Sequence, residues 1–293
     1  MDIWRCGAIR APLHSLLDGA LSTCTVHWLP ELGPGEFLAD PFGWPAPKGG
    51  LHVFAERYDY RDRHGYIERY TLGADGRLLE ARTVLRERWH LSYPQVFEGE
   101  GATWMLPEAH HSGGLTLYRG DLQLESWHAA VRIELDAVPV DATPLWHEDR
   151  WWLLYSPATS RATRFGHLHA AWARQLEGPW HPHPGNPVRI DRASARPGGT
   201  ALNLGNRILL PVQDCTRTYG GATRPLWITR LDETGFAAEC GAPLPLPVSA
   251  GRYRDGMHTL SACGDWTLID VKRVDRTGRG WWYDLRRLLK PSA

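Results

Sequence analysis

The sequence predicts an all-β fold, a single five-bladed β-propeller spanning residues 1–293 with a pocket on its central axis. Three observations carry this. Five openings recur: Asp40-Pro41-Phe42, Tyr93 to Phe97, Asp141 to Trp146, Arg196 to Thr200 and Gly256 to Leu260. Their lead residues, Asp40, Tyr93, Asp141, Arg196 and His258, stand 53, 48, 55 and 62 residues apart, and a period near 50 with several strands per unit is how a propeller blade reads in sequence. Between openings, short apolar runs alternate with Gly- and Asp-rich turns. Fifteen Trp and ten Tyr supply the large rings that fill the space between blades.

Element by element, residues 11–22 are the one helical candidate near the start, with Pro12 suited to a helix N-terminus. Leu51 to Glu56 reads as a strand, Asp59 to Gly65 as a charged hairpin tip, Gly65 to Leu72 as the partner strand and Gly73 to Gly76 as a turn. The third unit repeats the plan with Arg150–Ser156 and Gly166–Trp172, and the fourth with Arg207–Gln213 and Pro225–Leu231. The fifth runs through Asp265–Val271 and then the chain soon ends. An open sheet edge invites aggregation, so a further segment must close the ring. Trp281–Tyr283 and Asp2–Ile9 are the two candidates.

The 33 basic and 33 acidic residues balance, which excludes a nucleic-acid or anionic-membrane surface built on basic excess. No apolar run has the length of a membrane span, and Met1–Cys6 lacks a signal-peptide core. The five cysteines, Cys6, Cys24, Cys215, Cys240 and Cys263, are odd in number and have no ligand spacing. They read as buried free thiols in a reducing compartment, hence a soluble cytoplasmic protein. His110-His111 and His181-Pro182-His183 lack the helical i, i+4 spacing of a zinc site, and Gly33-Pro34-Gly35 and Gly198-Gly199 lack the Lys and helix of a phosphate loop. No metal or cofactor is expected from these motifs.

Several stretches resemble a known family: Ala39–Phe42, Phe54–Glu56, His90–Pro94, Met105–Glu108, Gly178–Pro184, Ala195–Gly199, Gln213-Asp214 with Tyr219-Gly220, and His258-Thr259. They are similar to the propeller at the N-terminus of plant glucosamine inositolphosphorylceramide transferases, a module also found beside bacterial formyltransferase-like sugar enzymes. The resemblance implies a five-bladed propeller connected with glycan or glycolipid assembly, standing alone here and serving a partner transferase. More distantly the chain resembles five-bladed glycosidases of the arabinanase and β-xylosidase type. That likeness implies a general base at Asp40, a pKa-tuning role for Asp141 and a structural Ca²⁺ in the central channel near His258. The fourth blade departs from it, because no Glu stands in Ala195–Gly199.

Glycosyl chemistry needs one protonated carboxyl near the leaving oxygen and one carboxylate across the sugar. Asp40, Glu108 and Asp141 are the catalytic candidates, with the wall around Trp104 expected to hold Glu108 protonated. Arg196 could grip a carboxylate or phosphate bidentately or neutralise Asp40 and Asp141. His90, Tyr93, His110, Gln213, Asp214, Tyr219 and His258 complete a set suited to sugar hydroxyls. The expected function is an enzyme acting on a glycosidic or activated-sugar bond. The alternatives are a non-catalytic glycan-binding propeller, or a propeller recruited to small-molecule biosynthesis.

Overall fold

The computed structural model describes residues 1–288. Five antiparallel sheets form the blades of a propeller. The first blade holds strands Glu36–Ala46, Gly50–Asp59, His64–Leu72 and Leu78–Leu85. The second holds Ser92–Gly99, Ala102–Glu108, Leu115–Gly120 and Trp127–Ile133. The third is built on Pro139–His147, Arg150–Pro157 and His167–Ala173, and the fourth on Arg196-Pro197, Ile208–Asp214, Ala222–Leu231 and Phe236–Cys240.

The fifth blade settles how the ring closes. Leu260–Cys263 and Trp266–Val274 supply its two inner strands, and the N-terminal strand Asp2–Ile9 pairs with the latter from Asp2 opposite Val274 to Ile9 opposite Thr267. Trp281–Tyr283 lies instead in a helix, Arg279–Leu288. Every residue of Asp2–Ile9 but Asp2 and Arg5 is buried, which suits an interior strand, while Trp281 and Trp282 stay exposed.

The helical candidate at 11–22 forms two 3-10 turns, Leu13–Leu16 and Ala20–Ser22, rather than one α-helix. Gly19 between them sits at φ 95°, which breaks the helical path. Of the cysteines, all free, only Cys6 and Cys215 are buried, and the other three are half-buried. No helix among the described residues is long and apolar enough to cross a membrane. The core lies between blades: Trp104, Trp151 and Tyr155 pack between the second and third, and Trp152, Leu210 and Ile228 between the third and fourth.

Candidate functional site

Three blades open with the same backbone device. In the first, Ala39 pairs with Glu56 and Phe42 with Phe54, so Asp40-Pro41 together oppose one residue. The second repeats this around Tyr93-Pro94 and the third around Asp141-Ala142. Each is a β-bulge that leaves its lead residue out of the ladder. Asp40, Tyr93 and Asp141 take φ of 51°, 47° and 51°, a left-handed conformation costing roughly 1–2 kcal/mol in a non-glycine residue. Strain repeated at three equivalent points marks a site the fold over-determines.

These lead residues do not all face one cavity. Tyr93 is fully buried, and its hydroxyl lies 2.9 Å from Thr143 Oγ1, 3.0 Å from the Gly199 carbonyl oxygen and 2.7 Å from the Gly199 nitrogen. It ties the second blade to the third and fourth and does not line the cavity described below, so the expectation that it binds sugar hydroxyls is corrected: its phenol is spent on Thr143 and the Gly199 backbone. Arg196 donates from Nε to Asp141 Oδ2 at 2.7 Å, and Gln213 Nε2 donates to the same oxygen at 2.7 Å. Both members of the ion pair are buried. Burial and Arg196 act in opposite directions on the Asp141 carboxyl, and burial prevails, raising its pKa. Arg196 is thus the neutralising partner of Asp141, and its Nη1 donates to the Arg164 carbonyl oxygen at 3.3 Å. Asp214 turns away to Arg224 at 2.9 Å and leaves the axis altogether.

A cavity of about 210 Å³ adjoins this layer, lined by Asp2, Trp4, Phe37, Asp40, Glu56, Tyr58, Tyr60, His90, Ser92, Glu108, Tyr219 and His258. A larger groove of about 1020 Å³ runs between the first two blades, past Trp44 and Leu122, and contains none of the candidate residues. In the small cavity, carboxyl groups meet aromatic faces. Trp4 stacks on His258, and Tyr219 stands edge-on to His258 at 5.2 Å.

Three of the four carboxyls lining this cavity, Asp40, Glu56 and Glu108, are driven apart in acidity. Burial alone would raise Glu108, but His110 bonds it through both ring and backbone. With His90 and Arg196 nearby, it is pulled down to about 2. Glu56 is buried among like charges, chiefly Asp40 and Glu108, and is held well above the usual carboxyl range. Among the described residues no Lys or Arg pairs with it. Its neighbour is His90 Nε2 at 3.4 Å. His90 Nδ1 accepts the Gly65 N–H at 3.0 Å and burial lowers its pKa to about 4, so the neutral ring carries its proton on Nε2, toward Glu56. Burial lifts Asp40 to about 6, against the opposing pull of His258.

The expectation that a wall at Trp104 keeps Glu108 protonated is therefore corrected twice. Trp104 packs between blades with its Nε1 on the Gly99 carbonyl, and Glu108 is the ionised carboxylate of the set. The carboxyl whose surroundings favour the protonated form is Glu56.

Asp40, His258 and Asp270 converge closely enough to suggest a cation. The donors do not fit Ca²⁺. Asp270 already accepts the backbone N–H groups of Asp40, His258 and Thr259 at 3.0–3.1 Å, and Asp40 accepts Thr259 Oγ1 at 2.7 Å and the Tyr93 N–H at 3.2 Å. His258 Nδ1 lies 2.6 Å from Asp270 and Nε2 3.4 Å from Asp40. Burial opposes charge on this imidazole, yet the two carboxylates outweigh it and raise its pKa. The imidazole and the hydrogen bonds already made by the two carboxylates occupy the place where six to eight oxygens would be needed.

Of the candidates, the structure thus brings Asp40, Glu108, His90, Tyr219 and His258 to one cavity. It sets His110 behind Glu108, keeps Tyr93, Asp141, Arg196 and Gln213 in the buried layer, and sends Asp214 to Arg224. The sequence reading missed Glu56 and Asp270. A signal existed: Glu56 and Glu108 lie on second strands at the same register, opposite the residues that precede Asp40 and Tyr93. The aromatic wall of Trp4, Phe37, Tyr58 and Tyr60 carried no such repeat.

Comparison with known proteins places this architecture among relatives. A family described as glucosamine inositolphosphorylceramide transferase 1, N-terminal, matches residues 20–252. Glucosamine inositolphosphorylceramide transferase 1 of Arabidopsis thaliana is 33% identical over 220 residues, which are 74% of this chain and 28% of that protein. Its counterpart in Oryza sativa subsp. japonica is 30% identical over 207 residues, 69% of this chain and 28% of that protein. The chain thus spans about 28% of the length of these relatives. Among solved structures, the catalytic domain of a Coprinopsis cinerea GH62 α-L-arabinofuranosidase superposes with TM-score 0.59 at 12% identity, covering 80% of this chain and 90% of that one. A family 117 glycoside hydrolase from Zobellia galactanivorans gives 0.56 at 12% identity, covering 100% and 99%. At these identities the two structures share the fold.

Proposed function

The chain belongs to the glucosamine inositolphosphorylceramide transferase 1 N-terminal family, and from that membership and the cavity's chemistry we propose that it acts on a glycosidic or activated-sugar bond by carboxylate acid–base catalysis. One observation carries this: Asp40, Glu56 and Glu108 line a cavity of about 210 Å³ under Trp4, Phe37, Tyr58 and Tyr60, with their acidities separated by burial and neighbours. A pair of carboxyls whose environments separate their pKa values provides an acid and a base at one pH. A sugar ring offers apolar faces to the aromatic wall and hydroxyls to His90, Ser92 and Tyr219.

In this reading Glu56 donates its proton to the leaving oxygen as the anomeric C–O bond breaks. Asp40 accepts the proton of the attacking water or acceptor hydroxyl. Glu108, ionised by His110, keeps Glu56 protonated and accepts from a substrate hydroxyl. Loss of a general acid or base typically costs on the order of 10²–10⁴ in rate. The test is turnover of a panel of aryl glycosides and sugar nucleotides by wild type, Glu56→Gln and Asp40→Asn, with ligand affinity measured alongside. Turnover lost in both variants with affinity kept supports the reading. Full activity in both overturns it.

A second reading has its own support: the chain matches an N-terminal module and only about 28% of its relatives' length. A sugar-binding propeller serving a partner transferase would bind glycans with no turnover in any condition.

A further inference from the structure

The small cavity has a neighbour. A second cavity, of about 220 Å³, is lined by Ile3, Trp4, Glu31 to Glu36, Arg252, Tyr253, Arg273, Asp275 and Arg279. Trp4 belongs to both cavities, and Glu36 of one adjoins Phe37 of the other. A ligand seated under Trp4 in the first therefore lies one indole away from the second. Its volume is several times the roughly 30 Å³ share of a water molecule.

The charges in this second cavity are unequally committed. Glu36 is taken by Arg57 at 2.7 Å and by Arg61, and Glu31 by Arg252 and Arg5. Arg273 and Arg279 make no ion pair within 4 Å among the described residues, and the buried Arg273 Nε has no hydrogen-bond partner there. The Arg273 guanidinium rests over the Tyr253 ring at 5.6 Å, which fixes its plane. The remaining acid, Asp275, is held below the usual range chiefly by the Thr277 side chain and N–H, with a smaller pull from Arg273 and Arg279. A planar guanidinium with an unused buried N–H, beside a second uncommitted arginine, matches the oxygens of a phosphate or carboxylate. Arg196, the sequence's candidate for that task, is committed to Asp141.

We propose that this second cavity is an oxyanion subsite, in which Arg273 and Arg279 take the phosphate or carboxylate group of the sugar substrate held across Trp4. This rests on the sugar-pocket reading above for what the anion is attached to, though not for the anion itself. It narrows the substrate class to phosphorylated or acidic glycans.

The experiment is calorimetry on the full chain at low salt with four probes: inorganic phosphate, a hexose, its phosphate and its uronate. Variants are Arg273→Gln and Arg279→Ala. Arg279 is exposed on the helix Arg279–Leu288, so its removal leaves the propeller core intact. Wild type should bind inorganic phosphate, and each substitution should weaken that binding roughly tenfold or more, the scale of one charge-assisted hydrogen bond. Hexose affinity should not move. Tighter binding of the hexose phosphate than of the uronate, or the reverse, identifies the anion. Phosphate binding that is absent, or equal in wild type and both variants, overturns the subsite. Arginine-dependent phosphate binding with no sugar affinity upholds the subsite and removes the sugar-pocket reading instead.

Discussion

His258 stacks on Trp4 with ring centroids 3.8 Å apart and planes inclined by 18°. One ring comes from the N-terminal strand that closes the propeller, the other from the opening of the last blade. The contact therefore joins the two ends of the fold and forms a wall of the candidate site at once. It also holds the imidazole where Asp270 and Asp40 reach its two nitrogens.

Trp4→Ala should cost about 3–5 kcal/mol, as expected for truncating a buried indole. Trp4→Phe should cost less and keep the ring closed. Denaturant unfolding at fixed pH measures both, and a Trp4→Ala loss below about 1 kcal/mol would show that ring closure does not depend on this stack.

Tyr93→Phe should destabilise the fold by about 1–3 kcal/mol, because the Gly199 N–H and carbonyl and the Thr143 hydroxyl lose a buried partner. Ligand affinity should be unchanged, since Tyr93 does not line the cavity. Gly199→Ala should be worse: an added Cβ would meet the Leu260 carbonyl oxygen at 1.8 Å, at a φ of 148°. Affinity falling with Tyr93→Phe at constant stability would return Tyr93 to the binding set.

Arg196→Ala leaves the buried Asp141 carboxylate held only by Gln213, and should cost about 3–5 kcal/mol. The double variant Arg196→Met, Asp141→Leu should recover much of that loss, because an apolar pair leaves no buried charge unpaired. Chemical denaturation of the three proteins decides it; equal stability of the single and double variants would show that Asp141 is not the residue being compensated.

The blade period, the ring architecture and the carboxylates Asp40 and Glu108 were legible because bulge-forming openings and the strands that follow them repeat in the chain. Orientation was not. Asp40, Tyr93 and Asp141 share one bulge geometry, yet one lines the cavity, one bonds Gly199 and one pairs with Arg196, since each side chain follows what stands opposite it across the ring. Such cross-ring partners lie far apart in sequence, as Tyr93 and Gly199 do, 106 residues apart. Glu56 was missed because its importance comes from the partner it lacks. Glu108 has His110 two residues away, and no spacing rule announces the difference. Arg273 belongs to no repeat or motif in the chain, and only the fold sets it in one cavity with Trp4.

The Glu108–His110 contact predicts acid sensitivity. Glu108 is depressed from 4.5 to about 2, so its stabilising contribution is complete above pH 4.5 and disappears as pH falls from there through 2. The total is about 3 kcal/mol as an order of magnitude. Urea unfolding at pH 7 and pH 3 should show wild type losing more stability over this interval than His110→Ala or Glu108→Gln. Equal losses in all three would mean that the contact does not hold the carboxylate.

The pH dependence of turnover should report Asp40 and Glu56 together. Asp40 is raised to about 6, so as a general base it gains competence as pH rises through that value. Glu56 stays protonated well above the usual carboxyl range, so as a general acid it is lost only at higher pH. The profile of kcat/KM should therefore be bell-shaped, rising near pH 6 and falling beyond it. Glu108→Gln removes a negative charge next to Glu56. The alkaline limb should then move to lower pH, because the ionised form of Glu56 is no longer repelled. Asp40→Asn should abolish the acidic limb along with most of the rate. An alkaline limb that stays in place in Glu108→Gln, while turnover persists, would remove Glu56 from the acid role and leave the proton to another donor in the cavity.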